Sequence, residues 1–92
     1  MAEKCFQIII RGNVQSVFFR KFTKIAAQDF EIKGFVRNEY DGSVYIEAQG
    51  ENSQLEKFIA WCHRGPEHAQ VERVEVIEVE LKNFSAFSIS FF

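Results

Sequence analysis

Only two cysteines, Cys5 and Cys62, occur in the chain, and they lie far apart. They are too few for a disulfide framework, show no metal-ligand spacing, and read as packed, reduced thiols. One proline and five glycines are too few to build a flexible or low-complexity linker. The 92 residues are therefore expected to form one domain, 1–92. Neither sign of charge prevails, since 11 lysines and arginines face 13 aspartates and glutamates for a formal net charge of −2. Nucleic acid and anionic membranes both attract clustered excess cation, so neither is an expected partner. No apolar run approaches the roughly 20 residues that span a bilayer. Met1-Ala2-Glu3-Lys4 lacks the apolar stretch of a signal peptide, and a soluble, cytoplasmic protein is the expectation. No solenoid-type repeat is visible.

What the chain has in quantity is phenylalanine, 11 residues of it. A small domain buries a modest share of its surface, so large apolar side chains fill its core efficiently, and nearly all of these rings are expected inside. Phe6, Ile8 and Ile10 alternate with Cys5, Gln7 and Ile9 over Cys5 to Arg11, as in a strand covered on at least one face. From Phe19 to about Phe30 the apolar residues Phe22, Ile25, Ala26 and Phe30 form a helical stripe. That stripe places Phe22 and Phe30 in the core, with Lys24 and Gln28 in solvent. Lys33 to Asn38 reads as a second strand and Glu39-Tyr40-Asp41-Gly42 as a hairpin turn. A third strand follows, with Val44, Ile46 and Ala48 inward and Tyr45, Glu47 and Gln49 on a wet face.

Ser53 to Glu56 has the spacing of a capping box, and Leu55, Phe58, Ile59 and Cys62 form the stripe of a second helix that Gly65 and Pro66 end. Val71 to Leu81 is strand-like but changes phase between Val76 and Ile77, at a bulge or at the strand's end. Phe87, Ile89 and Phe91 alternate with serines in a last short strand. The order β-α-β-β-α-β with an extra strand is the ferredoxin-like plait, an α+β fold with two helices on one face of an antiparallel sheet.

One segment carries chemistry: Gly12-Asn13-Val14-Gln15-Ser16-Val17-Phe18-Phe19-Arg20, between the first strand and the first helix. A short loop entering a helix leaves backbone N–H groups without partners, and these donors, with the positive end of the helix dipole, attract an anion such as phosphate. Arg20 adds charge and a planar fork that grips two phosphate oxygens at once. On loop chemistry alone the motif is short, and an ordinary strand-to-helix turn closed by a solvated arginine is the commoner explanation.

The segment resembles the acylphosphatase signature GxVQGVxFR, matching at Gly12, Val14, Gln15, Val17, Phe19 and Arg20, with Ser16 where the family usually has glycine. Gly34-Phe35-Val36-Arg37-Asn38 followed by Asp41-Gly42-Ser43-Val44 resembles the family's second block, GxVxN with DGxV. Gly65-Pro66, Ala69 and Val71 also fit, so the resemblance runs from about Phe6 to the end of the chain.

It implies hydrolysis of acyl phosphates, with catalytic Arg20 and Asn38, a phosphate-binding loop over Gly12 to Arg20, and neither metal nor cofactor. The implied partners are a small-molecule acyl phosphate and inorganic phosphate, bound by a monomer. The chemistry is coherent, because the leaving carboxylate is already stable at neutral pH and no strong general acid is required. A loose phosphoryl-transfer transition state asks chiefly for positioning and charge stabilisation, which loop amides and Arg20 supply while Asn38 orients water.

Without the resemblance, Asn38 reads as a strand-end residue bonding the following turn. Ser16 carries a Cβ where a phosphate cradle often needs positive φ, so strain relieved by a bound anion is expected there. The same departure leaves room for a catalytically silent phosphate-binding module. An RNA-recognition module shares the fold outline, and Lys33-Gly34-Phe35-Val36 resembles part of its RNP1 motif. That fragment lies on the second strand and not the third, and the acidic balance opposes it. His63 and His68 near the end of the second helix, and Glu75, Glu78 and Glu80, read as surface residues. Cys62 would need an activating base to act as a nucleophile.

Overall fold

The computed structural model describes residues 2–15 and 17–91. Ile8 and Ile10 are fully buried while Gln7 and Ile9 are only partly so, the period-two pattern of a strand with one fully covered face. They belong to β1 (Glu3–Asn13), which is followed by α1 (Phe19–Asp29), β2 (Lys33–Asn38), β3 (Val44–Glu51), α2 (Asn52–Arg64), β4 (Gln70–Val79) and β5 (Phe87–Ile89). The strands form one sheet in the order β4-β1-β3-β2-β5, the ferredoxin-like arrangement with one strand added at an edge.

The sheet is mixed, not antiparallel throughout as expected. β1 runs antiparallel to β3 and β4, and β2 to β3, but β5 pairs parallel with β2. β4 lies at one edge and β5 at the other, so the chain between them crosses the sheet. Such a crossover, unlike a hairpin, can deliver a parallel neighbour.

That crossing also corrects the expected wet face of β3. The backbone N–H groups of Lys82 and Asn83 donate to Gln49 Oε1 at 2.8 and 3.2 Å, and the Phe84 ring meets Phe35 with centroids 6.0 Å apart. Glu47 and Gln49 are buried beneath the strap. Glu47 accepts from Lys82 Nζ at 2.8 Å and from the Tyr45 hydroxyl at 2.6 Å. Burial pushes the Glu47 carboxyl up, but those two donors more than offset it and its pKa is lowered. Burial and the same carboxylate hold the Tyr45 hydroxyl protonated far above its ordinary range.

The helix face of the sheet carries the core, where Ile8, Ile10, Val14, Val36, Val44, Ile46 and Leu55 are fully buried. Aromatic rings gather at one side, with Phe58 and Phe87 at 6.2 Å and Phe19 and Trp61 at 5.7 Å between centroids. Phenylalanine supplies less of this core than expected. Among the described residues only Phe19, Phe58 and Phe87 are buried, Phe6, Phe30, Phe35 and Phe84 are partly so, and Phe18, Phe22 and Phe91 are exposed.

In α1 the buried stripe is Phe19, Thr23, Ala26 and Ala27, whereas Phe22 is 42% exposed. The helix is turned this way because the Thr23 hydroxyl is satisfied inside, donating to the Phe19 carbonyl at 2.7 Å. The two alanines then permit a close approach to the sheet. Phe22 and Ile25 lie instead along a groove with Trp61 and Pro66.

The capping box does not form. α2 follows β3 directly, with Glu51 at the N-cap position, so Ser53 falls inside the first turn and donates to Glu51 Oε1 at 3.2 Å. Gly65 ends the helix as expected, its N–H reaching the Trp61 carbonyl. Among the described residues no helix is long and apolar enough to cross a membrane.

β4 neither bulges nor ends at Val76–Ile77. Val74 and Val76 oppose Ile10 and Ile8 on the core side, and Ile77 opposes Gln7 on the other face, so this edge strand carries apolar residues on both. Its register shift falls further up, where Arg11 pairs with Arg73 but Gly12 pairs with Val71. Gly12 has φ 134°, and a Cβ there would sit 2.1 Å from the Gln70 carbonyl oxygen. Gly12→Ala is expected to cost about 2 kcal/mol or more, seen as a lower urea midpoint at unchanged slope. An unchanged midpoint would show that β4 can retreat from the strand.

Candidate active site

Each end of the β1–α1 connection is fixed before its middle is shaped. Gly12 and Asn13 belong to β1 and pair with Val71 and Gln70, so they support the loop without facing its hollow. Val14 is fully buried, and Val17 packs against the core. Phe19 is buried beneath the start of α1. Ser16, and with it the expectation of strain there, lies outside the described residues, while Phe18 sits in the left-handed region at φ 58°, ψ 28°, as the residue preceding the helix.

The Gln15 side chain joins this loop to the next hairpin. Its Nε2 donates to the carbonyls of Glu39 at 2.9 Å and Ser43 at 2.8 Å, on either side of the β2–β3 turn. Asp41 Oδ1 braces that turn from within, accepting the Ser43 N–H at 3.0 Å and its hydroxyl at 2.6 Å, while Arg11 reaches Asp41 Oδ2 at 3.1 Å. Asn38, the last residue of β2, is thereby held beside the loop.

The result is an open cavity of about 320 Å³. Val14, Gln15, Phe18, Arg20 and Asn38 line it, together with Lys21 and, from the end of the chain, Ile89 and Phe91. The Arg20 guanidinium carbon stands 4.7 Å from the centroid of the Phe91 ring. Asn38 Oδ1 is buried and, among the described residues, accepts no hydrogen bond. An orphaned acceptor of this kind is costly unless a donor arrives from the cavity.

The electrostatics of the hollow favour an anion. α1 begins with no side-chain cap and no acidic residue in its first turn, so its first N–H groups lack the partners a cap provides. Arg20 and Lys21 stand at this positive end of the helix dipole, where cations are disfavoured unless negative charge is bound. Arg11, Arg37, Arg73 and Lys82 all pair with carboxylates. Among the described residues neither Arg20 nor Lys21 does.

Sequence reasoning did not single out Lys21, Ile89 and Phe91. The alternation of Phe91 with serines gave it a face, but only the parallel docking of β5 on β2 brings it to Arg20. His63 and His68 are exposed and do not line the cavity. Cys62 is fully buried, and burial pushes its thiol far above the ordinary value. Glu75 receives Arg11 and Arg73, while Glu78 and Glu80 are exposed.

A sequence model of the acylphosphatase family matches residues 6–89. The chain belongs to the acylphosphatase family. An acylphosphatase of Archaeoglobus fulgidus is 44% identical, covering 92% of this chain and 96% of that one. Among solved structures, an acylphosphatase from Coxiella burnetii superposes with TM-score 0.93 at 31% identity, over 96% of this chain and 93% of that one. The acylphosphatase from Bacillus subtilis gives 0.92 at 33%, over 95% and 98%.

The turn beside the site is expected to respond to acid. The Ser43 hydroxyl and N–H, with Arg11, hold the Asp41 carboxyl at about 2, below its ordinary 3.8. A depressed folded-state pKa contributes stability that is complete above the ordinary value and fades as pH falls through the folded one. The Ser43 amide should therefore shift in a proton titration with its midpoint near 2, and Asp41→Asn should abolish that step. A midpoint near 3.8 would show that the brace is not formed in solution.

Proposed function

We propose that this cavity hydrolyses acyl phosphates to a carboxylate and inorganic phosphate, with Arg20 and the loop amides holding the phosphoryl group and Asn38 orienting the attacking water. Membership in the acylphosphatase family supplies the reaction class, a hydrolysis of an acid anhydride. The observation that supports the assignment of roles is that Asn38 Oδ1 and Arg20 share one hollow, where among the described residues the first accepts no hydrogen bond and the second has no carboxylate partner.

The steps follow from the groups present. A phosphate at the uncapped start of α1 accepts from backbone N–H groups and from the Arg20 fork, which offset the charge on its equatorial oxygens. A water donates one hydrogen to Asn38 Oδ1, which fixes the direction of its lone pair. Its oxygen attacks phosphorus as the bond from phosphorus to the acyl oxygen breaks. The carboxylate departs without needing a proton, and the proton of the attacking water passes to the phosphate. A loose transition state leaves the protein mainly the tasks of positioning and charge stabilisation.

Steady-state kinetics with benzoyl phosphate test this reading. Arg20→Ala should lower kcat/KM by about a thousandfold or more and remove competitive inhibition by inorganic phosphate, with the fold retained by circular dichroism. Arg20→Lys should recover little, because the bidentate fork is lost. Near wild-type turnover in Arg20→Ala would show that the anion binds elsewhere.

Asn38→Ala should depress kcat strongly with little change in KM. The reverse pattern would make Asn38 a substrate-binding residue. Hydrolysis should persist in a chelator, and its loss there would reveal a metal requirement.

A further inference from the structure

Two of the most exposed large apolar side chains, Phe18 at 74% and Phe91 at 71%, line this one cavity. Neither helps to fill the core. Phe18 is held in a left-handed conformation that costs a residue with a Cβ about 1 kcal/mol or more, and its ring is left in solvent. Phe91 is carried to the same hollow from the opposite end of the chain and lies over Arg20. Ile89 adds aliphatic surface. The cavity thus has a cationic half, at Arg20, Lys21 and the start of α1, and an apolar half. Bound phosphate accounts for the first half alone.

We propose that Phe91, with Phe18 and Ile89, forms a wall that receives the acyl group, and that the preferred substrates are acyl phosphates with an apolar, above all aryl, acyl group. This rests on the placement of phosphate at Arg20. An acyl phosphate joins a strongly anionic group directly to an organic one, so a phosphoryl group held by Arg20 projects its acyl carbon away from the cations. The nearby surfaces offered to that carbon are rings and aliphatic side chains. A flat aryl group can lie against Phe91 and Phe18 in offset or edge contact, covering apolar surface that is otherwise wet. A carbamoyl group would bring a polar amide against the same wall and leave its N–H groups poorly matched. Methyl, in acetyl phosphate, covers too little area to gain much. With the guanidinium carbon 4.7 Å from its centroid, the Phe91 ring borders the cation that holds phosphate as well as the surface offered to the acyl group.

The test compares KM and kcat/KM for benzoyl, acetyl and carbamoyl phosphate in the wild-type chain, Phe91→Ala and Phe91→Leu, with Arg20→Ala as control. The wild type should bind benzoyl phosphate roughly tenfold better than either small substrate. Phe91→Ala should collapse the benzoyl-to-acetyl ratio of kcat/KM towards unity, and Phe91→Leu, which keeps an apolar surface, should fall between. The ratio cancels any loss that both substrates share through a disturbed Arg20. A wild type without preference overturns the proposal, as does a Phe91→Ala ratio that stays unchanged while both substrates weaken together. If Arg20→Ala is inactive while the wild type treats all three alike, the acyl wall alone is wrong. If Arg20→Ala stays active, the phosphate site falls and this inference with it.

Discussion

One primary amide holds the site in register. The two hydrogens of Gln15 Nε2 reach the carbonyls of Glu39 and Ser43, so the β1–α1 loop and the β2–β3 turn share a fixed separation. Everything that faces phosphate in the proposed reaction hangs from one side or the other of that link: Arg20 and the start of α1 on the loop side, Asn38 on the hairpin side. A shorter side chain would release the loop from the turn while each carbonyl kept its backbone donor, Gly42 N–H at 3.2 Å for Glu39 and Glu39 N–H at 2.9 Å for Ser43. The second brace, Asp41 across Ser43, keeps the turn rigid where Gln15 grips it.

Those supports are rigid strand ends, and the cavity is correspondingly built on backbone already committed to the sheet. Gly12 allows β4 to approach β1 where the loop begins, and Val14 and Phe19 anchor the loop at both ends in the core. Among the described non-glycine residues of the loop, Phe18 is held in a sparsely populated conformation, and it stands where the chain must change from loop to helix. The strain is local, and well-packed neighbours on both sides hold it in place.

Much of this was legible in the residues. The alternation through Phe6, Ile8 and Ile10, the Asp41-Gly42 turn and the Gly65 stop each express a local rule, and local rules survive in the fold. The clustering of Gln15, Arg20 and Asn38 followed from their place in a recognisable signature. What sequence could not show depended on contacts between distant segments. The orientation of α1 turned on Thr23 satisfying its hydroxyl internally, which made a polar residue fit for the core and displaced Phe22. The burial of Glu47 and Gln49 depended on a strap from residues 80–86. The expected capping box failed because β3 runs into α2 without a loop. Phe91 reached the site only because β5 crosses to the far edge of the sheet.

That crossing fixes the order in which the cavity can be completed. Arg20 and its loop emerge early during synthesis, as do β2 and Asn38, yet the wall that faces them arrives with the last strand. A nascent chain lacking β5 would leave the β2 edge unpaired and the cavity at Arg20 without Ile89 and Phe91. Pairing the first third of the chain with its final residues is a high-separation contact, and loop-closure entropy makes such contacts slow to form. The sheet's last strand is thus a timing element: the cavity gains its apolar side only once β5 has paired with β2.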